Sequence, residues 1–170
     1  MAIRSALAAT VNKEIVTARG HRLPQQYPFI ISTDFEKITK TKNLAQALQT
    51  LGFQEELTRC AIKKIRAGRG KNRGRPYKKR TGPLIVVSQD SPLLRVNLPG
   101  IDVVLVEALN AHLLAPAAPG RLTLYTEAAI ERLRREQLFT NNPANHVQKK
   151  QEKHEQEKHK DTKGNKQKEK

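Results

Sequence analysis

Apolar residues recur along the chain with two different periods, and the first of them is helical. Between residues 2 and 17 every fourth position is apolar, which predicts a helix whose buried face carries Ile3, Leu7, Val11 and Ile15. The Arg-Gly pair at 19–20 and Pro24 end this helix. Residues 27–32 form a short apolar run with a proline near its start, which predicts a strand.

Further helices are predicted before residue 66. Thr33 and Glu36 have the spacing of a capping box and predict a short helix to about residue 39. A second helix, capped by Thr41 and ended by Gly52, has leucines and an alanine on one face. A third is expected over 54–66, with its inward face formed by Leu57, Ala61 and Ile65.

After residue 81 the second pattern begins, in which apolar residues are continuous, as in strands buried on both faces. Such runs predict three strands, at 83–88, 102–107 and 121–125. Short helical or turn segments lie between them at 91–98 and 107–114, and a last helix starts at Thr126. Because strands that alternate with helices pair in parallel through right-handed crossovers, the sequence predicts an α/β fold. We expect a three-layer domain over 1–140, with a mainly parallel sheet of about four strands flanked by helices.

The C-terminal residues lack any such pattern. Residues 141–170 are rich in Lys, Glu and Gln and contain a single valine, Val147. A segment of this composition buries too little apolar surface to offset the entropy of ordering, so a disordered tail is predicted.

Charge is concentrated in one place along the chain. The formal net charge is +16, from 32 basic and 16 acidic residues. Residues 63–80 contain ten basic and no acidic side chains, whereas residues 81–145 contain five basic and six acidic ones. This is the pattern of a local binding element on an ordinary domain, and a polyanion such as nucleic acid is the partner it favours.

The basic element, residues 63–81, reads KKIRAGRGKNRGRPYKKRT. Its three glycines break helix formation and allow close approach to another surface, so we expect an extended segment. Its cations can displace counterions from a phosphate backbone, its arginines suit bidentate phosphate contacts, and Tyr77 offers a stacking face. The competing interpretations are a solvated charge run and a nuclear-localisation patch. RNA is favoured over DNA because helix-turn-helix, zinc-finger and basic-zipper patterns are absent from the sequence.

Enzyme and metal-site patterns are weak. Gly68, Gly70 and Gly74 have the wrong spacing and context for a dinucleotide fingerprint. Asp90 and Ser91 follow a strand, where α/β enzymes carry catalytic groups, but their spacing is that of a turn. The single cysteine, Cys60, is predicted to be a core residue. We therefore predict no catalytic residues, no metal, no cofactor, no small-molecule substrate and no membrane contact, while an RNA-acting enzyme at Ser88–Ser91 stays an alternative.

Six motifs occur together in the order and spacing of one protein family. They are AIRSALAATV (2–11), ARGH (18–21), KTKN (40–43), IRAGRGKNRGRPYKKRTGPLIVV (65–87), NLPGIDVV (97–104) and LLAPAAPGRLTLYTEAAIERL (113–133). Through these six motifs, residues 2–137 resemble the archaeal and eukaryotic type of large-subunit ribosomal protein L-four. The resemblance implies a parallel α/β domain that binds large-subunit ribosomal RNA directly, contacts neighbouring ribosomal proteins in the cytoplasm and has no enzymatic activity.

The resemblance also assigns RNA-contacting positions. Residues 66–80 match the family's Arg/Gly-rich stretch, residues 19–22 match its basic turn, and residues 119–121 match the turn before the last strand. Combined with the charge pattern, the predicted RNA-binding residues are Arg19, His21, Arg22, Lys63, Lys64, Arg66, Arg69, Lys71, Asn72, Arg73, Arg75, Tyr77, Lys78, Lys79, Arg80 and Arg121.

The sequence also departs from the family pattern. Family members carry a further N-terminal part with a long loop that reaches the peptide exit tunnel, and this chain resembles only the portion after it. A tunnel-lining role is therefore not expected of these residues. The stretch at 91–96 is shorter than in the family, so a short helix is expected there. An RNA chaperone or regulatory RNA-binding protein outside the ribosome remains the alternative function.

Overall fold

Helices and strands alternate through most of the chain. The computed structural model describes residues 1–89 and 91–140. Its helices are α1 (Ala2–Val11), α2 (Lys13–Ala18), α3 (Thr41–Thr50), α4 (Gln54–Ala61), α5 (Ala111–Leu114) and α6 (Glu127–Arg135). Its strands are β1 (Ile30–Ile31), β2 (Lys64–Ile65), β3 (Tyr77–Lys78), β4 (Leu84–Val87), β5 (Asp102–Leu105) and β6 (Thr123–Thr126). Short 3-10 helices lie at Thr33–Lys37, Gly68–Gly70, Pro92–Arg95 and Val106–Ala108.

Four strands form a fully parallel sheet in the order β1-β6-β4-β5. In its centre Ile85 is in register with Leu124 on one side and Val103 on the other. This confirms the predicted α/β fold with a parallel sheet of four strands. The segment between β4 and β5 is the short 3-10 helix Pro92–Arg95, as the reduced length of that stretch predicted.

Helices cover both faces of this sheet. On one face Ile85 and Leu124 belong to the same core cluster as Leu44 and Leu48 of α3. Tyr125 follows Leu124 in the strand, so its side chain points to the opposite face. There its hydroxyl lies 3.2 Å from the hydroxyl of Thr10 in α1. The three-layer arrangement is therefore confirmed, with every residue of β4 buried at its centre.

The helix predicted over 2–17 is interrupted at Asn12, whose side chain caps α2 by accepting from the amides of Glu14 and Ile15. The buried residues of α1 are Ala6, Ala9 and Thr10, while Val11 and Ile15 of the predicted apolar face are 53% and 37% exposed. The predicted face was therefore wrong at those two positions. Small side chains allow α1 to pack closely against α5 and the sheet, and that close packing decides which face is buried.

Two other predictions in this half of the chain were wrong. Helix α4 ends at Ala61, and Ile65, expected on its inward face, lies in β2 and is 71% exposed. Glu36 does not close a capping box with Thr33, because the 3-10 helix begins at Thr33 itself. The Glu36 carboxylate is instead buried beneath the sheet's carboxyl edge, where it accepts hydrogen bonds from the Ser88 amide and hydroxyl and the Thr126 hydroxyl.

The chain divides into two units, Met1–Glu136 and Gln137–Lys170. All the elements above belong to the first. In the second, the Thr140 hydroxyl donates to the Gln137 carbonyl at 2.7 Å. The predicted disordered tail, 141–170, lies outside the described residues, and the boundary at 140 stays a prediction. None of the helices in the described part of the chain has the length and apolar character needed to span a membrane.

Candidate nucleic-acid interface

The basic element is a β-hairpin. Strands β2 and β3 pair antiparallel, with Lys64 opposite Lys78 and Ile65 opposite Tyr77. The Arg66 amide donates to the Pro76 carbonyl at 2.8 Å and extends the ladder by one bond. We refer to residues 63–80 as the basic hairpin. The sequence predicted an extended segment here, and the structure adds that the segment folds back on itself.

The tip of the basic hairpin is a compact turn that presents cations to solvent. Gly68 and Gly74 adopt φ of +76° and +72°, and the Arg75 amide donates to the Gly70 carbonyl at 3.1 Å. Arg66 is partly withdrawn, because its guanidinium donates to the Arg75 carbonyl at 3.2 Å. The remaining predicted RNA-binding residues of the basic hairpin are exposed: Lys63, Lys64, Arg69, Lys71, Asn72, Arg73, Arg75, Tyr77, Lys78, Lys79 and Arg80.

The basic turn, residues 19–22, is shaped by the end of α2. The Gly20 amide donates to the Thr17 carbonyl at 2.8 Å and the His21 amide to the Val16 carbonyl at 3.4 Å. This is the Schellman pattern, which requires the positive φ that Gly20 adopts at +92°. The turn leaves Arg22 exposed and Arg19 partly buried, with the Arg19 guanidinium donating to the carbonyls of Pro116 and Pro119.

A buried carboxylate joins the basic turn to α4. Glu56 is fully buried, and His21 Nδ1 lies 2.7 Å from its Oε1. Its Oε2 accepts the Arg22 amide at 3.0 Å and Arg59 Nε at 2.7 Å. Since a carboxylate only accepts, His21 donates from Nδ1. Arg59 also donates from Nη2 to the Thr81 carbonyl at 2.8 Å, so one network holds the basic turn, α4 and the base of the hairpin.

The hydrogen bonds in this network determine the charge of Glu56. Burial alone would raise the pKa of its carboxyl group. Hydrogen bonds from Arg59, His21 and the Arg22 amide outweigh that effect and lower the pKa to about 2. Glu56 therefore stays ionised near neutral pH and compensates the positive charge of Arg59. The pKa of the neighbouring Cys60 thiol is raised to about 11 by burial and then by the charge of Glu56, which makes it a weak nucleophile at neutral pH. Its burial confirms the predicted core position.

A cleft of about 590 Å³ separates the basic turn from the basic hairpin. It is lined by Arg19, His21, Arg59, Lys64, Lys78, Lys79, Arg80 and Thr81, so none of its lining residues is acidic. Burial, followed by the positive charges of Arg121 and Arg59, lowers the pKa of Arg19. An anion in this cleft would relieve their mutual repulsion. We refer to it as the cationic cleft.

Two of the predicted RNA-binding residues are buried. One residue that lines the cationic cleft was not predicted from the sequence. His21 is 4% and Arg121 1% exposed, and both are engaged with the protein: His21 with Glu56, and Arg121 with Asp102 and the carbonyls of Gly82 and Leu113. Their polar groups are thus engaged within the protein, although His21 also lines the cationic cleft, and an RNA contact by either residue stays a prediction. Arg59 was not predicted, and its only sequence signal is the i,i+3 spacing from Glu56.

The base of the basic hairpin is anchored where two glycines meet. The Gly82 amide donates to the Gly100 carbonyl at 2.8 Å. A Cβ added at Gly82 would lie 2.4 Å from Cys60 Sγ and 2.8 Å from the Gly100 oxygen. This close approach admits no side chain at residue 82 without displacement of α4 or of the 97–101 segment.

We expect Gly82→Ala to lower the free energy of unfolding by about 1–3 kcal/mol, the usual cost of overpacking. Urea denaturation followed by circular dichroism measures this. In a Cys60→Ala background the same substitution should cost less, because the sulfur is gone. Equal costs in both backgrounds would show that the contact with Cys60 is not the cause.

The described residues contain little that resembles an active site or metal site. The Ser88 hydroxyl is buried and donates to the Glu36 carboxylate, which also accepts from the Ser88 amide and the Thr126 hydroxyl, so these groups join the 3-10 helix at Thr33–Lys37 to the ends of β4 and β6. Asp90 lies outside the described residues. Within 1–89 and 91–140, no three His, Cys, Asp or Glu side chains are grouped as metal ligands would be.

The residues that form these cationic surfaces lie within a region that matches a known protein family. Residues 1–136 match the model of the ribosomal protein L4/L1 family. The chain belongs to this family. It is also 46% identical over 134 residues to the large ribosomal subunit protein uL4 of Methanococcoides burtonii, a match covering 76% of this chain and 53% of that protein. The chain thus spans about half the length of the curated relative it matches.

Family membership confirms the resemblance found in the sequence. The matched residues, 1–136, coincide with the first compact unit and include the basic turn, the basic hairpin and the cationic cleft. The L4/L1 match therefore covers the whole of the candidate interface.

Proposed function

We propose that this L4/L1 family chain is a structural, non-enzymatic component of the large ribosomal subunit that binds ribosomal RNA and supports subunit assembly and translation. Its partners would be large-subunit ribosomal RNA and neighbouring ribosomal proteins, and its location the cytoplasmic ribosome. The observation that carries the proposal is the basic hairpin beside the cationic cleft, with ten cations and no acid in residues 63–80. The relative's name, a large ribosomal subunit protein, supports the choice of RNA.

The arrangement suits RNA in physical terms. The exposed tip cations lack carboxylate partners among the described ion pairs, so they are available to phosphates. The parallel sheet and the Glu56 network hold the base of the hairpin and the basic turn in place. Rigid support lowers the entropy lost when the cations engage an RNA backbone. The proposed contacts are the exposed predicted residues of the basic hairpin together with Arg19 and Arg22.

Binding to a large-subunit ribosomal RNA fragment across a salt series tests the proposal. If all ten cations of residues 63–80 engage phosphates, log K falls against log salt with a slope of roughly −7 to −9. Arg69, Arg73 and Arg75→Ala together should make that slope shallower by about 2 to 3 and weaken binding. Arg95, Arg134 and Arg135→Ala remove the same charge from exposed arginines elsewhere and should leave the slope nearly unchanged.

Equal effects of the two triple variants would contradict a localised interface, and a flat salt response would overturn RNA binding by phosphate contact. Co-sedimentation with large-subunit fractions from cell extracts separates the ribosomal role from the alternative. A chain that binds RNA but stays out of those fractions would be an RNA chaperone or regulatory binder.

A further inference from the structure

The basic hairpin has two chemically different faces. Adjacent residues of a strand point to opposite sides, so the Lys64–Lys78 pair lies on one face and the Ile65–Tyr77 pair on the other. Both lysines line the cationic cleft. The Ile65–Tyr77 face therefore points away from the cleft, into solvent.

This outer face is an exposed apolar surface. Ile65 is 71% and Tyr77 55% exposed, and directly opposed residues in an antiparallel pair have Cβ atoms about 5 Å apart, close enough to form one continuous patch. Neither side chain belongs to the core cluster. A two-stranded hairpin with two-residue strands gains little stability by exposing such a pair, so the patch is better explained by a partner than by folding.

The charge around the patch decides what kind of partner fits. The patch lies within 18 residues that carry ten positive charges and no negative ones. A partner must therefore combine dense negative charge with flat apolar groups. An unpaired nucleobase in an RNA strand has both properties, because its ring stacks on aromatic and aliphatic side chains while its backbone supplies phosphates.

The inner face of the hairpin, which faces the cationic cleft, also fits a negatively charged partner. Lys64 and Lys78 are directly opposite, an arrangement that destabilises a hairpin through like-charge repulsion. Arg19 and Arg80 add to the positive charge in the same cleft. A backbone phosphate bound there would convert this repulsion into attraction.

We propose that the hairpin lies between two RNA segments, with the cationic cleft holding backbone phosphates and the Ile65–Tyr77 patch stacking on an unpaired base. The chain would then distinguish RNA with an exposed base from continuous duplex. This inference rests on the proposed RNA-binding function and adds a specificity to it.

Two RNA duplexes that differ by one bulged 2-aminopurine nucleotide test the inference with the full chain. The wild type should bind the bulged duplex about tenfold more tightly, the range that loss of one base–aromatic stack produces. Binding should also quench the 2-aminopurine fluorescence. Tyr77→Val, which keeps a strand-forming residue but removes the ring, should abolish the preference and the quenching, whereas Tyr77→Phe should keep both.

The matched control is Ile30→Ala, which truncates an isoleucine that is 59% exposed at the edge of the main sheet. It should change neither affinity nor quenching, whereas Ile65→Ala should weaken both. Equal binding of both duplexes, with Tyr77→Val behaving as wild type, would overturn the inference and leave RNA binding intact. Absence of salt-dependent binding to either duplex and to the ribosomal RNA fragment would overturn the proposed function as well.

Discussion

Replacing Glu56 with alanine should lower the free energy of unfolding by about 3–5 kcal/mol, the usual cost of removing one partner from a buried ion pair. The carboxylate is fully buried and accepts from His21, Arg59 and the Arg22 amide. Its removal leaves the Arg59 charge without compensation and a buried imidazole donor without an acceptor.

Urea denaturation followed by circular dichroism measures the loss, and Glu55→Ala is the matched control. Glu55 is the adjacent residue of the same helix and is exposed, so its truncation should change stability by less than about 0.5 kcal/mol. Equal effects at residues 55 and 56 would contradict the role assigned to the buried network.

The hydrogen-bond network around Glu56 also predicts that the free energy of unfolding depends on pH. The pKa of Glu56 is lowered to about 2 from an ordinary value of 4.5, so the unfolded chain takes up the proton first as pH falls. The stabilisation by Glu56 is therefore complete above pH 4.5 and is lost as pH falls from there towards 2. The stability difference between wild type and Glu56→Gln should be constant at neutral pH and shrink over this range. A difference that does not change between pH 5 and pH 2.5 would contradict the lowered pKa.

The sheet could be predicted from sequence because its determinants are local. β4 is a continuous run of β-branched and leucine residues between two glycine- or serine-containing turns, and every one of its residues is buried. The α1 face could not be predicted in the same way. Val11 is more hydrophobic than Ala6 or Ala9, yet it is the exposed one. Helix α1 contacts α5 and the Tyr125 hydroxyl, and the face it buries carries the small residues.

The residues of the candidate interface also differ in how well the sequence predicts them. The density of cations in residues 63–80 is visible in the sequence and identifies the exposed surface without any knowledge of the fold. The roles of His21 and Arg121 depend on partners far along the chain, Glu56 at a separation of 35 residues and Asp102 at 19. A single sequence contains no signal for such pairs, so the sequence places His21 and Arg121 with the exposed residues and does not show that both are buried.

Replacing Arg121 with methionine should cost about 1–3 kcal/mol of stability, the usual cost of leaving buried acceptors unpaired, and leave RNA affinity unchanged. The side chain is 1% exposed; its guanidinium donates to the Gly82 carbonyl at 3.0 Å, the Leu113 carbonyl at 3.1 Å and the Asp102 carboxylate. Methionine has similar length but no donors, so the two carbonyls are left unpaired. The Asp102 side chain is 53% exposed, so water replaces its lost partner at little cost. Arg95→Met, at an exposed position, is the control and should cost less than about 0.5 kcal/mol.

The two measurements together separate a structural from an RNA-contacting role for Arg121. RNA affinity is measured at low temperature, with the folded fraction fixed by circular dichroism, so that instability does not register as weak binding. A structural residue gives a large loss of stability and less than a threefold change in affinity per folded molecule. Normal stability with a tenfold loss of affinity and a shallower salt slope would return Arg121 to the interface.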